Sequence, residues 1–136
     1  MRFIFDHNLP PNLARALDHL VDDEVTCLKD RGWQADTDEE WIPKLAREGG
    51  WIILTGDLDI VRNPFRQVVF RKAGLTTFFL VGAWSGGLHG TEIAQRLLKI
   101  WPEIATRAAT SAAGTCFKVP LKGAIQRFSP QGKRPI

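Results

Sequence analysis

The sequence predicts an α/β protein, a three-layer α/β/α sandwich around a mainly parallel central sheet. Short apolar runs typical of strands alternate four times with amphipathic patterns typical of helices, an order that favours a parallel sheet covered on both faces. One of these runs, Thr76–Val81, is bulky and apolar throughout, as expected for a strand buried on both faces. A chain of 136 residues is long enough to form one such domain around its own core.

Three strands and two helices are predicted in the first half of the chain. The strands are expected at Arg2–Phe5, 24–28 and 51–54, where apolar residues are concentrated. The first helix would begin after Asn8 as its N-cap. Its inner face would carry apolar residues at helical spacing, namely Leu9, Leu13, Ala16, Leu17 and Leu20.

The second helix has clear signals at both ends. Thr37 is predicted as its N-cap, and Glu40 completes a capping box three residues later. Trp41 and Ile42 would begin its apolar face, and Gly49 would end it.

The second half of the chain is predicted to contain two more helices. One is expected over 64–73, and residues 82–90 form a glycine-rich loop. The other begins at Thr91 as its cap, is broken or kinked at Pro102, and continues to about residue 113. A short strand follows at 115–119.

Charge is distributed unevenly along the chain. Residues 1–60 contain 6 Lys and Arg against 13 Asp and Glu, whereas residues 61–136 contain 12 against 2. An acidic half joined to a basic half suits an enzyme that collects carboxylates around cations and holds a polyanion nearby. Neutralisation of one half by the other across their contact stays open as the alternative.

Residues 1–113 are predicted to form the domain, and residues 114–136 a basic extension that is part strand and part mobile. No apolar run approaches the ~20 residues that cross a bilayer, and the N-terminus lacks the pattern of a secretory signal. We therefore expect a cytoplasmic protein with no membrane partner. Its two cysteines, Cys27 and Cys116, are expected to be separate buried thiols.

Carboxylates follow two of the predicted strands. Asp6 comes directly after the first strand, and Asp57 and Asp59 come after the third. The carboxyl ends of parallel strands meet at one edge of a sheet, where ligands bind. Asp38 lies in the first turn of the second helix, three residues before Trp41, and so shares the inward face. These carboxylates are therefore expected to converge.

Such a cluster is chemically suited to a divalent cation. Crowded carboxylates repel one another, and hard oxygen ligands without a His or Cys cluster favour Mg²⁺ or Mn²⁺. A site of this kind supports phosphodiester hydrolysis. Each carboxylate also has an ordinary explanation: Asp6 ends a strand, Asp38 favours the helix dipole, and Asp57 and Asp59 shape a turn. The residues alone leave both interpretations open.

Three segments resemble PIN-like domains, most closely the Vap-type toxin branch. Residues 6–11, read as DHNLPP, resemble the D-x-N-L-P opening of that family. Residues 38–42, DEEWI, resemble the acidic start of a later helix, and residues 55–60, TGDLDI, resemble its T-x-D-x-D-F segment. Ile60 stands where the family usually has Phe, and an acidic residue common on an intermediate helix of the family has no counterpart. The resemblance covers about residues 1–82.

The resemblance implies a PIN-like fold and a metal-dependent endoribonuclease that cleaves single-stranded or structured RNA, the toxin of a toxin–antitoxin pair. It implies that Asp6, Asp38 and Asp57 hold Mg²⁺ or Mn²⁺, with Asp59 as a further catalytic carboxylate. Three residues would support these ligands: Asn8, Glu39 and Thr55. A non-catalytic module that binds RNA or a partner is the alternative.

A phosphotransfer protein with Asp6 as its nucleophile is a third possibility. Two features argue against it, since the chain lacks both the acidic pair that precedes the aspartate of receivers and the D-x-D-x-T motif of aspartyl phosphatases.

The expected partners are an RNA substrate and a cognate antitoxin, and a homodimer stays open. Four basic residues are predicted to contact RNA: Arg62, Lys118, Lys122 and Arg127. For the basic C-terminal extension, docking of an acidic partner and a merely solvated tail stay open. Trp84 either stacks on an unpaired base or packs over its own loop. His7 either assists proton transfer beside Asp6 or points away from it. His89 has an equally open role.

Overall fold

The computed structural model describes residues 1–56, 73–81, 84 and 90–128. The strands in these ranges are β1 (Arg2–Phe5), β2 (Glu24–Cys27), β3 (Trp51–Thr55), β4 (Thr76–Val81), β5 (Cys116–Pro120) and β6 (Gln126–Phe128). The helices are α1 (Pro11–Leu20), α2 (Asp38–Glu48) and α3 (Gly90–Thr110). The six strands form one sheet in the order β2-β1-β3-β4-β5-β6, and only β6 runs antiparallel to its neighbour.

Two apolar cores cover opposite faces of this sheet. On one face, α1 and α3 pack against alternate strand residues such as Phe3, whose ring lies 4.6 Å from that of Trp101. On the other face, α2 packs against Ile4 and Ile53. Successive strand residues point to opposite faces, so β1, β3, β4 and β5 each contribute residues to both cores. The predicted three-layer α/β/α sandwich with a mainly parallel sheet is confirmed.

The start of α1 differs from the prediction. The helix begins at Pro11 with Pro10 as its N-cap residue, not Asn8. The backbone N–H of Asn8 instead donates to Oδ1 of Asp6 at 3.1 Å, so Asn8 belongs to the turn that leaves β1. The side chain of Asp6 thus determines how the chain leaves the sheet.

The ends of α2 agree with the prediction. Glu40 accepts a hydrogen bond from the backbone N–H of Thr37 at 2.8 Å, which closes the start of the helix. Gly49 follows its last residue with φ of 76°, a conformation that favours glycine.

Of the break or kink predicted at Pro102, the break is wrong, because α3 is continuous through this residue. Proline removes one helical hydrogen bond, but its neighbours continue a single buried stripe. That stripe comprises Leu97, Trp101 and Ile104. Packing of the stripe against the sheet holds the helix together on both sides of the proline.

The strand predicted at 115–119 is found as β5, shifted by one residue. The sheet continues into β6, a three-residue strand that the sequence did not predict. Ile125, just before β6, is buried against the core. Most of the helix predicted over 64–73 and of the loop predicted over 82–90 lies outside the described residues.

Cys27 and Cys116 are both free and buried, as predicted. Burial raises the pKa of the Cys116 thiol to about 11. Among the described helices, none combines the length and the apolar composition that crossing a bilayer requires.

Candidate metal and nucleic-acid site

The strand order marks one place on the sheet where a ligand site is expected. From β1 the chain moves outward to β2, and it then returns past β1 to add β3 and β4. In open α/β sheets, ligands bind beyond the carboxyl ends of the strands at such a reversal, which here lies between β1 and β3. The residues that follow these two strands are Asp6 and Gly56.

Asp6 is held rigidly at this reversal. Its side chain is buried, with 4% of the residue exposed. Oδ1 accepts the backbone N–H of Asn8 at 3.1 Å, and Oδ2 accepts a short hydrogen bond from the hydroxyl of Thr55. Its backbone N–H also donates to the carbonyl of Leu54 at 3.1 Å. Asp6 therefore joins the end of β1 to the end of β3 through both its backbone and its side chain.

The Asp6 carboxylate is oriented by a donor at each of its two oxygens. Thr55 is completely buried and is placed by its position at the end of β3. A carboxylate oriented in this way by neighbouring donors resembles the supported ligands of metal sites.

Asp38 lies at the same edge and on the same face of the sheet. The helix α2 ends just before β3 begins, so the last turn of the helix lies near the start of that strand. Its first residue, Asp38, therefore lies beyond the carboxyl ends of the strands, at the edge where Asp6 is found. Oδ1 of Asp38 accepts a hydrogen bond at 3.1 Å from Nε1 of Trp41, a fully buried residue of the α2 core. Ile4 and Ile53 belong to that core, and two residues further along their strands lie Asp6 and Thr55.

Glu39 is exposed at the first turn of α2. Its neighbour Glu40 is also exposed and is engaged in the helix cap. Of the three acidic residues in this turn, Asp38 is thus the one that bonds to the buried face, as the spacing in the sequence predicted.

Asp57, Asp59 and Arg62 lie outside the described residues, as does His89. Asp57 follows Thr55 by two positions in the chain. Within the described part of the chain, no three His, Cys, Asp or Glu side chains are grouped closely enough to hold a metal ion. Asp6 and Asp38 therefore do not form a three-ligand site with other described residues.

The three described residues predicted to bind RNA lie at the far side of the sheet. Lys118 is in the middle of β5 and Lys122 follows that strand, whereas Arg127 is in β6. Alternation along the paired strands places Lys118 on the α2 face and Arg127 on the opposite face. Only Lys122 lies beyond the same strand ends as Asp6, about 14 Å away across three strand spacings.

Two aromatic candidates have other contacts. Trp84 is buried, and its indole N–H donates to the carbonyl of Val119 at 2.9 Å, so its ring packs into the core. A role in base stacking is therefore not supported. Nε2 of His7 lies 2.9 Å from the carbonyl oxygen of Gln34, so this ring nitrogen bonds to the backbone.

Two cavities of about 180 Å³ each open at this edge. One lies between the ends of β1 and β3 and has mainly apolar walls, including Leu9, Leu80 and Trp84. The other lies between the ends of β1 and β2 and includes Asp6 and Lys29. Lys29 is not among the site residues expected from the sequence, although it follows the end of β2 by two residues, close to where the rule for strand ends places ligand-binding residues.

Comparison with known proteins gives one match. A family model described as a PIN like domain matches residues 1–82, which include β1 to β4, Asp6 and Asp38. Domains of this type are typically metal-dependent nucleases. No curated protein and no solved structure matches the chain.

Proposed function

The chain belongs to the PIN-like domain family, and from that membership we propose that it is a metal-dependent endoribonuclease. The proposal depends above all on one observation. Asp6, the buried carboxylate at the strand-order reversal, is oriented by donors from two different segments, Asn8 and Thr55. Burial of a carboxylate requires partners, and this one lies where ligands bind in such sheets.

The donor set suits Mg²⁺ or Mn²⁺. Asp6, Asp38 and Asp57 would hold the ion, and the described residues provide oxygen donors at this edge without a group of three His or Cys side chains. Asp59 would complete the acidic site. The chemistry that such an ion would supply is a lowered pKa for a coordinated water, which as hydroxide is the nucleophile of phosphodiester hydrolysis, and stabilisation of the leaving oxygen. Thr55 and Trp41 would keep the Asp6 and Asp38 carboxylates in orientation through their hydrogen bonds.

Substitution of Asp6 tests this function directly. Asp6→Asn should reduce Mn²⁺-dependent cleavage of single-stranded RNA at least about 100-fold, because the change affects a ligand and not only an outer partner. The matched control is Asp22→Asn, which removes the same charge at an exposed position. Circular dichroism would verify that both variants remain folded. Cleavage by Asp6→Asn at the wild-type rate would refute the proposal.

We further propose that the enzyme is the toxin of a toxin–antitoxin pair and acts in the cytoplasm. An antitoxin would need to cover the acidic edge, and a basic side chain inserted between Asp6 and Asp38 would complement its charge. Expression of the chain alone in a host cell tests this role. The wild-type chain should arrest growth, and the Asp6→Asn variant should not. Equal growth with both would contradict it.

The second candidate is a non-catalytic PIN-like module that binds RNA or a partner. It is favoured by one observation, that Asp6 and Asp38 are not joined by a third metal-ligating side chain within the described ranges. This function predicts equal RNA affinity with and without Mn²⁺ and no cleavage.

A further inference from the structure

We propose that the cleft between the ends of β1 and β2 binds a phosphate group of the RNA strand, with Lys29 as its cation. The inference rests on the proposed function, which supplies RNA as the ligand. The phosphate would be one next to the bond that is cut, since the cleft shares Asp6 with the candidate metal site.

Half of the residues that line the cleft are polar or charged, and the larger part of its lining surface is apolar. It has a volume of about 180 Å³, and its polar residues are Asp6, His7, Lys29 and Gln34. Lys29 is exposed and follows the last residue of β2 by two positions. Because β2 pairs directly with β1, Lys29 and Asp6 lie beyond the ends of neighbouring strands.

Lys29 differs from most cations in the acidic half of the chain. Of the 6 Lys and Arg residues in 1–60, four form ion pairs: Arg2, Arg15, Arg31 and Lys44. Lys29 and Arg47 form none with the residues that the structure describes. Arg47 lies in the last turn of α2, at the opposite edge of the sheet from Asp6. Lys29 is therefore the cation of this half that is both beside Asp6 and available to an anion.

The acid closest to Lys29 in sequence is already engaged. Asp30 accepts two hydrogen bonds from the guanidinium of Arg15, at 3.0 and 2.6 Å. This two-point contact holds the pKa of Asp30 below its usual range. Lys29 lowers this pKa less than Arg15 does, and it remains an exposed residue of the cleft.

A cation beside Asp6 would offset the repulsion between the acidic edge and an RNA phosphate. The carboxylates of Asp6 and Asp38 create a negative potential that repels RNA. A lysine offers a compact positive charge for a phosphate without fixing its exact orientation. Placed beside Asp6, it would hold the strand across the edge while the reacting phosphate lies at the carboxylates.

The test compares Lys29→Gln with Arg47→Gln, which removes an equal charge from the other edge. Lys29→Gln should raise the KM for a single-stranded RNA about tenfold, as expected for loss of one charge-assisted contact, and change kcat little. The slope of log KM against log salt concentration should become shallower by about 0.7. Arg47→Gln should match wild type, and Lys29→Arg should restore the KM. Equal values for Lys29→Gln and Arg47→Gln would overturn the proposal.

A binding measurement separates this proposal from the proposed function. Fluorescence anisotropy of a labelled single-stranded RNA is measured with Mn²⁺ in an Asp6→Asn background, so that no cleavage is needed. If the wild-type protein does not cleave RNA, the nuclease proposal fails. The phosphate cleft is still judged by the measured RNA binding. Weaker binding in Lys29→Gln than in Arg47→Gln supports the cleft, whereas equal binding rejects it.

Discussion

At the scale of single residues, the bonds around Asp6 explain both local structure and the candidate chemistry. The backbone of Asn8 and the hydroxyl of Thr55 donate to different oxygens of the same carboxylate. One bond forms the turn out of β1, and the other joins β1 to β3. A metal ligand in this position is oriented before any ion arrives, which lowers the cost of binding.

Thr55→Val should separate orientation from charge, because it removes the hydroxyl donor and leaves a side chain of similar shape. Loss of this partner to a buried carboxylate should lower the free energy of unfolding by about 1–3 kcal/mol. Affinity for Mn²⁺ should fall about 10–100-fold, the usual effect of losing an outer partner of a metal ligand. Urea denaturation and calorimetric Mn²⁺ titration measure the two effects.

Thr77→Val is the matched control for this change. Thr77 is also completely buried in the sheet, but its hydroxyl donates to the carbonyl of Leu75 at 3.0 Å. It should affect stability without changing Mn²⁺ affinity. Wild-type Mn²⁺ affinity in Thr55→Val would show that Thr55 does not support a metal ligand.

At the scale of elements, the helix α2 brings Asp38 to the strand ends. Its apolar residues pack on Ile4 and Ile53, and its direction is set by the connections to β2 and β3. The first turn therefore lies beyond the carboxyl ends of the strands on the face of Asp6 and Thr55. Rotation of α2 by one residue would move Asp38 away from that face.

The described strands β5 and β6 add to the sheet on the side opposite β2. Ile125 connects them to the core, with 4% of the residue exposed. Ile125→Ala should lower the free energy of unfolding by about 2–5 kcal/mol, as for other buried large-to-small changes. Leu20→Ala, at a residue that is 64% exposed, should change it by less than about 0.5 kcal/mol. Equal effects in chemical denaturation would mean that this segment does not contribute to the core.

The elements that could be predicted from sequence are those with strong local signals. The predicted apolar strands and the capped helix α2 are confirmed, because burial and capping each require particular residue types within a few consecutive positions. Predictions from local sequence patterns are wrong where a tertiary contact determines the local structure. The sequence predicts Asn8 as a helix cap, whereas in the structure its backbone bonds to Asp6, a side chain that Thr55 holds from β3. It predicts a break or kink at Pro102, where packing of α3 keeps the helix continuous.

At the scale of the whole molecule, the candidate site depends on topology more than on any one motif. Asp6 and Asp38 are 32 positions apart in the chain, yet β1 and α2 bring both to one edge and one face. The order β2-β1-β3-β4 places the strand reversal at that same edge. The positions of the strand ends in the sequence predict which residues lie at this edge. That most other cations of the acidic half form ion pairs, whereas Lys29 forms none with the described residues, can be seen only in the structure.

The basic residues of the second half divide between the two faces. Lys118 and Arg127 lie on opposite faces, so a single RNA surface that includes both would have to wrap around β5 and β6. The sequence showed the charge asymmetry along the chain, but the direction of each side chain depends on strand pairing.

The central claim is that Asp6, Asp38 and Asp57 share one divalent ion. The most direct measurement is anomalous scattering from crystals soaked in Mn²⁺. The account predicts a Mn²⁺ peak bounded by oxygen atoms of these three aspartates. A peak elsewhere, or none at a concentration that saturates cleavage, would contradict it.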